Sequence, residues 1–310
     1  MLFLPRARHH RDDDPATTAM TTPPLFVTRG SCVLYVSDMD PHGAQITAWA
    51  PGLAGITEVF HADFVGHAYP KHTHDQWSLM LVDRGTIAYD LDHRTHGAAP
   101  EIVTLLPPGI AHDGVPVTEA GFRQRILYLD TSVLGEVLIG PAVDSPEIRD
   151  PLLRHRIDQL HSALGPGGES LEAESRLGFL AERLNEILAP ATGRARHTPT
   201  VDERVADQLR DLLDARLTTG ITMHEASNIL QRNSTYLIKN FAKHFGLPPH
   251  KYVTGRRIDL ARRAILAGRE LADVAVDVGF HDQSHLSRHF VKHVGAPPGR
   301  YARNVVGRAR

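Results

Sequence analysis

The pattern of hydrophobic and polar positions divides the chain into a strand-rich part and a helical part. Up to about residue 130, short apolar or alternating stretches are separated by turn-forming groups such as Asp83–Gly85 and Pro107–Gly109. The predicted strands are Cys32–Val36, Gln76–Val82, Thr86–Leu91, Ile102–Leu106 and Gln124–Leu129. Strands of this length and spacing predict a small antiparallel β-barrel.

The middle of the chain has apolar residues at helical spacing with charged residues between them. These positions are Leu152, Leu153, Ile157, Leu160 and Leu164, followed by Leu171, Leu177, Leu180, Leu184, Ile187 and Leu188. Residues 145–188 are therefore predicted to be helical. Residues 189–200, with Pro190, Gly193 and Pro199, are predicted to form a flexible linker.

The C-terminal part contains one segment twice. Leu237, Phe241, Lys243, Gly246, Pro249 and Tyr252 recur, in order and at a constant offset of 49, as Leu286, Phe290, Lys292, Gly295, Pro298 and Tyr301. Two copies of one supersecondary unit are the simplest interpretation.

The second copy has the pattern of a helix-turn-helix. Gly279 can end a first helix in a left-handed conformation, and Asp282 suits the N-cap of the next helix. Leu286 and Phe290, four residues apart, direct that helix toward the core. The residues left facing outward are Gln283, Ser284, Ser287 and Arg288. Their side chains are of the types that contact bases and phosphates.

The first copy follows the same pattern with one departure. Asn233 takes the place of the Asp282 cap, but Leu230 takes the place of Gly279, so the geometry of the first turn is less well defined. The outward-facing residues of its second helix are predicted to be Ser234, Thr235, Ile238 and Lys239.

The motif residues of the second copy resemble the signature of AraC/XylS-type transcription regulators. They are Gly279, Phe280, Asp282, Gln283, Ser284, His285, Arg288, Phe290, Gly295, Pro298 and Tyr301. The resemblance extends from about Val201 to the C-terminus. It implies two helix-turn-helix units joined by a long helix, Arg257–Leu266, with the second helix of each unit in the major groove of DNA.

The charge distribution agrees with this resemblance. Residues 201–310 carry 18 Lys and Arg against 11 Asp and Glu, whereas residues 1–200 carry 16 against 25. A basic module is expected to bind a polyanion, because phosphate neutralisation supplies most non-specific affinity for DNA. Arg256, Arg257, Arg262 and Arg263 either take part in this or form a solvated helix face.

The length and composition indicate a cytoplasmic protein of two domains. The chain has 310 residues, more than one compact core usually holds, and its one cysteine, Cys32, excludes an internal disulfide framework. No apolar run approaches the ~20 residues that span a bilayer. Residues 1–24 are predicted to be disordered, with Met20 as an alternative start.

The N-terminal part also resembles a cupin, a jelly-roll barrel with a cavity. The residues that carry this resemblance are Gly66, His72, His74, Ser78, Gly85, Pro107, Gly109 and His112. The fold class expected for the whole chain is α+β and multidomain. Its predicted parts are a disordered extension (1–24), a cupin-like barrel (25–140), a helical segment (145–188), a linker (189–200) and a tandem helix-turn-helix domain (201–310).

The three histidines allow a metal site, with His72 and His74 on one side of a strand and His112 approaching from the facing sheet. However, Ser78 stands where metal cupins have Glu, and Pro116 where they often have Asn. We therefore expect no metal or cofactor. The predicted effector pocket consists of His72, His74, Trp77, Tyr89, His112 and Tyr128. The remaining alternative is that the histidines are partly buried residues satisfied by the backbone.

These observations predict a non-enzymatic, effector-controlled regulator that binds specific DNA sequences. The expected partners are double-stranded operator DNA, a polar small molecule such as a sugar or an aromatic acid, RNA polymerase and a second copy of the chain. Resemblance to the family favours the leucine stripe Leu171–Leu188 as an antiparallel dimer contact over a cover for the barrel. The alternatives are a metal-dependent cupin enzyme with a DNA-binding tail and a constitutive DNA-binding protein.

Overall fold

The computed structural model describes residues 44–166, 168–189 and 200–301. The predicted strand Cys32–Val36, the extension 1–24 and most of the linker lie outside these residues. The strands are β1 Gln45–Trp49, β2 Ile56–Phe64, β3 Tyr69–His72, β4 Trp77–Arg84, β5 Ile87–Leu91, β6 Arg94–Ala98, β7 Val103–Leu106, β8 His112–Pro116, β9 Phe122–Leu129 and β10 Glu147–Ile148. The helices are α1 Thr131–Leu134, α2 Ile139–Asp144, α3 Pro151–Ala163, α4 Ser170–Leu188, α5 Val201–Ala215, α6 Met223–Leu230, α7 Ser234–Phe245, α8 Pro249–Leu266, α9 Leu271–Asp277 and α10 Gln283–Val294.

The strands form two antiparallel sheets. The six-stranded sheet has the order β1-β2-β9-β4-β7-β10, and the four-stranded sheet has the order β3-β8-β5-β6. The cupin-like fold class is confirmed, and so are the four predicted strands that became β4, β5, β7 and β9. Within the described residues the sheets do not close into one ring. The arrangement is a sandwich of two sheets, and its interior lies between them.

Strand β4 shows how the sandwich divides the core. Because side chains alternate along a strand, Trp77 and Leu79 belong to one hydrophobic cluster, while Met80 belongs to another. The first cluster lies between the six-stranded sheet and helices α1–α4. The second lies between the two sheets. A strand buried on both faces explains the continuous apolar run of its sequence.

The leucine stripe of α4 covers the sheet. Leu177, Leu180, Leu184 and Leu188 are buried in the same cluster as Trp77. These leucines therefore cover the apolar outer face of the six-stranded sheet, and a dimer contact through the helical segment stays a prediction. Leu171 and Phe179 remain exposed on α4. None of the helices in the described ranges is long and apolar enough to cross a membrane.

Both helix-turn-helix units form as the duplication predicts. Asn233 caps α7 by accepting from the Thr235 and Tyr236 amides, and Asp282 caps α10 by accepting from the His285 amide. Gly279 has φ of +92° in the second turn. In the first turn it is Gln231, one position after Leu230, that adopts the left-handed conformation with φ of +50°.

Helix α8 joins the two units and is longer than predicted, beginning at Pro249 rather than at Arg257. The first unit has a separate hydrophobic cluster, centred on Leu209, Leu237 and Phe241. The second unit shares one continuous cluster with the interior of the sandwich, in which Phe290 of α10 and Phe64 of β2 both take part. Helices α8 and α10 both contact β3.

Candidate ligand pocket and nucleic-acid interface

A pocket lies between the two sheets. It is lined by Tyr69, His72, His74, Ser78, Met80, Ile87, Tyr89, Leu106, His112, Asp113, Gly114, Gln124, Ile126 and Tyr128. Five of the six predicted effector residues are among these. The exception is Trp77, which is fully buried in the cluster on the opposite face of the six-stranded sheet. Strand alternation places Trp77 on the other side from its neighbour Ser78, so its assignment to the pocket was wrong.

The three histidines come together by a route that differs from the predicted one. His72 ends β3 and pairs with His112 of β8, its neighbour in the same sheet, and His74 lies in the connection to β4. The prediction of two histidines on one strand facing a third across the sandwich was wrong, because the chain leaves the four-stranded sheet after His72. The ring centroid of His112 lies 4.5 Å from that of His72 and 4.7 Å from that of His74.

Each of these rings is held in one orientation by a backbone carbonyl. The Nδ1 atom lies 2.8 Å from the Pro70 oxygen in His72, 2.7 Å from the Gln76 oxygen in His74 and 3.0 Å from the Ile110 oxygen in His112. Because a carbonyl oxygen can only accept, each Nδ1 carries the hydrogen and donates it. In a neutral ring Nε2 is then an unprotonated acceptor.

The surroundings keep these rings neutral. Burial, followed by the charge of His72, lowers the pKa of His74 to about 3. Burial, followed by the charge of His74, lowers the pKa of His112 to about 3. The pKa of His72 is also lowered well below its usual value, mainly by burial. The fold therefore presents three uncharged imidazoles, since taking a charged form out of water is unfavourable.

Tyr69 and Gln124 also line the pocket, and the sequence analysis did not name them. Tyr69 of β3 accepts a hydrogen bond from the Gln124 amide nitrogen at 2.5 Å. The alternation along β9 assigns Gln124 to the same face as Ile126 and Tyr128, so its position was deducible once β9 was recognised. Within the described ranges, no group of three or more His, Cys, Asp or Glu side chains is arranged to hold a metal ion.

The pocket is connected to helix α8 through Tyr128. The guanidinium carbon of Arg262 lies 4.2 Å from the centroid of the Tyr128 ring, a cation–π contact. Arg262 also donates to Glu58 of β2 at 2.7 Å, and Glu58 accepts from the Tyr301 hydroxyl as well. All three of these side chains are buried. The ion pair therefore holds α8 against the six-stranded sheet inside the core.

A second connection runs through Asp75, which follows the pocket residue His74 in the chain. Asp75 forms ion pairs with Arg256 and Arg263 of α8, each at 3.1 Å. Burial opposes the charge of Asp75, but the two guanidinium groups hold its pKa below the usual value. Arg257 donates to the Leu217 carbonyl at 2.8 Å. With Arg262 paired to Glu58, the four arginines are engaged within the chain, and their interpretation as a solvated face was wrong.

The residues predicted to read DNA lie mostly on exposed surface. On α7, Thr235, Ile238 and Lys239 are exposed, as are Gln283, Ser284 and Arg288 on α10, while Ser287 is half-buried. Lys239 and Arg288 have no acidic partner among the residues that the structure describes. The exception is Ser234, which is half-buried and donates to the Met223 carbonyl at 3.1 Å. Its predicted outward orientation was wrong, because the start of α7 packs against the start of α6.

Comparison with known proteins assigns both parts of the chain. Residues 55–181 match the model of the AraC-like ligand binding domain, and residues 226–304 match that of a helix-turn-helix domain. The uncharacterized HTH-type transcriptional regulator YbfI of Bacillus subtilis is 20% identical over 236 residues, which cover 74% of this chain and 85% of YbfI.

Among solved structures, ToxT from Vibrio cholerae has 10% identity, a TM-score of 0.51 and coverage of 84% of this chain and 97% of that one. ToxT bound to (E)-4-(8-methylnaphthalen-1-yl)but-3-enoic acid has 10% identity, a TM-score of 0.52 and coverage of 84% and 99%. At this identity the likeness shows a shared fold. The two family models show that the chain carries an AraC-like ligand-binding domain followed by a helix-turn-helix domain, the architecture of an AraC-like transcriptional regulator. Regulators of this kind are generally not enzymes.

Proposed function

We propose that a small molecule bound between the two sheets controls how the two helix-turn-helix units engage operator DNA. The effector contacts are His72, His74, Tyr89, His112 and Tyr128, joined by Tyr69 and Gln124. A ligand can shift the arrangement of the units only if it binds the two arrangements with different affinity. Two contacts link the pocket to α8, which joins the DNA-binding units. The Tyr128 ring contacts Arg262, and Asp75, next to His74, pairs with Arg263.

The observation that carries this proposal is the position of Asp75 and Tyr128. Asp75 neighbours His74 in the chain and forms ion pairs with α8, while Tyr128 lines the pocket on one side and contacts Arg262 of α8 on the other. A ligand that moves His74 or Tyr128 must therefore change the surroundings of an arginine on α8. Because α8 joins the two units, a small shift at the pocket that moves α8 changes the position of one unit relative to the other.

We assign base reading to the exposed positions of α7 and α10. These are Thr235, Ile238 and Lys239 on α7, and Gln283, Ser284, Ser287 and Arg288 on α10. In helix-turn-helix proteins the second helix enters the major groove, and successive grooves on one face of the duplex lie roughly 34 Å apart. Each protomer would then cover about two helical turns of operator.

The remaining partners belong to the same proposal. The protein acts in the cytoplasm on operator DNA, with RNA polymerase and a second copy of the chain as partners. The exposed Leu171 and Phe179 of α4 support a contact between copies, since they lie on the side of α4 that does not cover the sheet. The ligand of the ToxT structure is an acid, but a likeness in fold does not transfer that ligand to this pocket.

The test begins with full-length protein and selection of bound fragments from a random-sequence DNA pool. Once an operator is defined, Asp75→Ala should change its affinity about fivefold or more without any added ligand, in the range of typical coupling free energies. Glu101→Ala is the matched control, because Glu101 forms an exposed ion pair with Arg149 at 3.4 Å and has no contact with α8. Fluorescence anisotropy measures both variants against the unmodified protein.

Failure to enrich any sequence would contradict the assignment of base reading. Enrichment with equal operator affinity for Asp75→Ala, Glu101→Ala and the unmodified protein would contradict control through α8. The two results are separate, so each part of the proposal is tested independently.

A further inference from the structure

Besides hydroxyl groups such as that of Tyr89, which can both donate and accept, the pocket offers a ligand several side-chain atoms that can only accept a hydrogen bond. Each of the three histidines uses its Nδ1 hydrogen on a backbone carbonyl, which leaves Nε2 as an acceptor in the neutral ring. Among the described residues, no hydrogen-bond partner is found for these three Nε2 atoms. The fixed tautomers therefore decide what kind of group the histidines can recognise.

Gln124 adds a fourth acceptor. Its amide nitrogen donates to the Tyr69 hydroxyl, and its carbonyl oxygen is buried without a partner among the described residues. A buried acceptor left unpaired destabilises the folded protein, whereas a ligand donor at the same place removes that cost. Gln124 and the three histidines line the same cavity.

We propose that this pocket takes a compact, uncharged ligand that carries several hydroxyl groups, and that it discriminates against carboxylates. The inference rests on the proposed function, because it names the chemical class of the effector bound there. Hydroxyl groups are donors that can satisfy the Nε2 acceptors. The aromatic faces of Tyr69, Tyr89 and Tyr128 suit the C–H surface of a polyol or sugar.

A carboxylate ligand lacks the donors that the pocket requires. Its oxygens would face the Nε2 lone pairs, and relief would need protonation of rings such as His74 and His112, whose pKa values burial lowers to about 3. The nearby guanidinium of Arg262 is already engaged by Glu58 and by the Tyr128 ring. Charged donors form the strongest hydrogen bonds to a carboxylate, and the donors left in the pocket are neutral hydroxyl groups such as those of Ser78 and Tyr89.

An ammonium ligand is disfavoured for a different reason. The guanidinium carbon of Arg262 lies at the pocket wall, 4.2 Å from the centroid of the Tyr128 ring, although the lining also includes the carboxylate of Asp113. The positive charge of this guanidinium repels a cation placed against that ring. An uncharged hydroxyl donor neither lacks a hydrogen to donate, as a carboxylate does, nor meets the repulsion from Arg262 that an ammonium group meets. A polyol should therefore bind more tightly than its acid or its amine.

The size of the cavity favours a compact ligand. Its volume is about 40 Å³, well below the roughly 300–1,000 Å³ of sites for drug-sized ligands. A polyol of a few carbon atoms is larger than this space, so its binding must displace lining side chains, among which are Tyr128 and His74. Those two residues are the ones connected to α8.

The experiment uses full-length protein and polyols of three to six carbon atoms. Each polyol is compared with two derivatives. In the acid one terminal CH2OH group is oxidised to a carboxylate, and in the amine one terminal hydroxyl is replaced by an amino group, for example xylitol, xylonate and 1-amino-1-deoxyxylitol. Calorimetry at neutral pH should detect binding of at least one polyol, with its acid and amine at least about tenfold weaker, a difference of about 1.4 kcal/mol. His112→Leu should abolish that binding, and His112→Gln should restore part of it by returning an acceptor. His155→Leu, at an exposed position on α3, is the control.

Four results would overturn the inference. They are an acid or amine that binds as tightly as its polyol, no binding by any polyol of the series, polyol binding unchanged in His112→Leu, and about one tightly held zinc, iron or manganese ion per chain. Circular dichroism of His112→Leu separates a lost ligand contact from a lost fold. Because operator selection and the Asp75→Ala comparison need no effector, the proposed function stands or fails on different measurements.

Discussion

The two helix-turn-helix units share a sequence pattern but differ in what covers them. The first unit is built around a cluster of its own residues, to which the ligand domain contributes only Ala111, just before β8, among the buried members described. The second unit is part of the cluster that fills the sandwich. The duplicated residues specify the helices and caps, whereas residues outside the repeat decide which unit is bound to the ligand domain.

The two tyrosines related by the constant offset of 49 show this difference. Tyr252 donates to Asp214 of α5, within the first unit, at 2.8 Å. Its counterpart Tyr301 donates to Glu58 of β2, in the ligand domain. Tyr252 therefore forms a hydrogen bond within the first unit, whereas Tyr301 connects the second unit to the sandwich. Any signal from the pocket should reach DNA through the second unit and α8 first.

The largest effect is expected on removal of Glu58. Glu58→Ala leaves the buried Arg262 without its partner, and breaking a buried ion pair in this way costs about 3–5 kcal/mol in the free energy of unfolding. Asp214→Ala in the first unit should cost only about 1–2 kcal/mol, since Asp214 is partly exposed and mainly accepts a hydrogen bond. Urea unfolding measures both variants. Equal losses in the two variants would contradict the contrast between the units.

A second comparison uses the glycines that end α7 and α10. Gly246 and Gly295 both adopt positive φ, of +71° and +86°, so alanine is strained at either position by about 1 kcal/mol. At Gly246 a Cβ atom would lie 3.5 Å from Ala111, an ordinary contact. At Gly295 it would lie 2.5 Å from the Phe64 ring. Overpacking adds about 1–3 kcal/mol, so Gly295→Ala should be the more destabilising variant by thermal or urea unfolding.

If Gly246→Ala and Gly295→Ala have the same stability, the contact between α10 and β2 is not part of the folded protein in solution. Phe64→Leu combined with Gly295→Ala provides the control. The smaller side chain should recover part of the loss at Gly295, and it should recover nothing when combined with Gly246→Ala.

The duplicated helices and most central strands were predictable from the sequence because their signals are local. Caps such as Asp282 and apolar runs such as that of β4 act within a few residues of themselves. By contrast, β8 contains Gly114 and Pro116 and has no strong strand signal, so its place depends on pairing with β3 and β5. The contacts of Glu58 and Asp75 with α8 join residues far apart in the chain, and no local pattern indicates them.

The pocket was predictable in part for the same reason. The cupin resemblance brought His72, His74 and His112 together, but not the strand end that separates His72 from His74. Trp77 was assigned to the pocket by residue type, although alternation along β4 places it on the helix-covered face. Composition identifies candidates for a site, and only the faces of the strands decide which of them enter it.

The pocket histidines also predict how acid affects the two units. In the unfolded chain their pKa is near 6.5, and in the folded protein the pKa of His74 and of His112 is about 3. Above pH 6.5 both states are neutral and stability is unaffected. Below it only the unfolded state binds protons, so unfolding becomes easier by about 1.4 kcal/mol per pH unit for each histidine, until the folded pKa is reached.

Urea unfolding between pH 7 and pH 4.5 measures this slope, and His112→Gln should reduce it by one histidine's share. The ring centroids of His72 and His293, a residue of α10, lie 6.1 Å apart. Because the pocket histidines therefore adjoin α10, acid should increase hydrogen exchange in α10 before it does so in α7. A slope that is unaffected by His112→Gln would contradict the burial of a neutral ring there.

The smallest expected effects compare the DNA-reading surfaces of the two units directly. Arg288 on α10 and Lys239 on α7 are exposed and lack an acidic partner among the described residues, so alanine at either position should leave unfolding unchanged. Loss of a side chain that contacts a base edge costs about 1–3 kcal/mol in operator binding and relaxes selectivity at that base pair, whereas loss of a phosphate contact weakens all sequences alike. Anisotropy against the selected operator and against single-base variants separates the two cases. Unchanged operator affinity in both variants would contradict base reading by these helices, and a loss in only one would show that a single unit supplies the specificity.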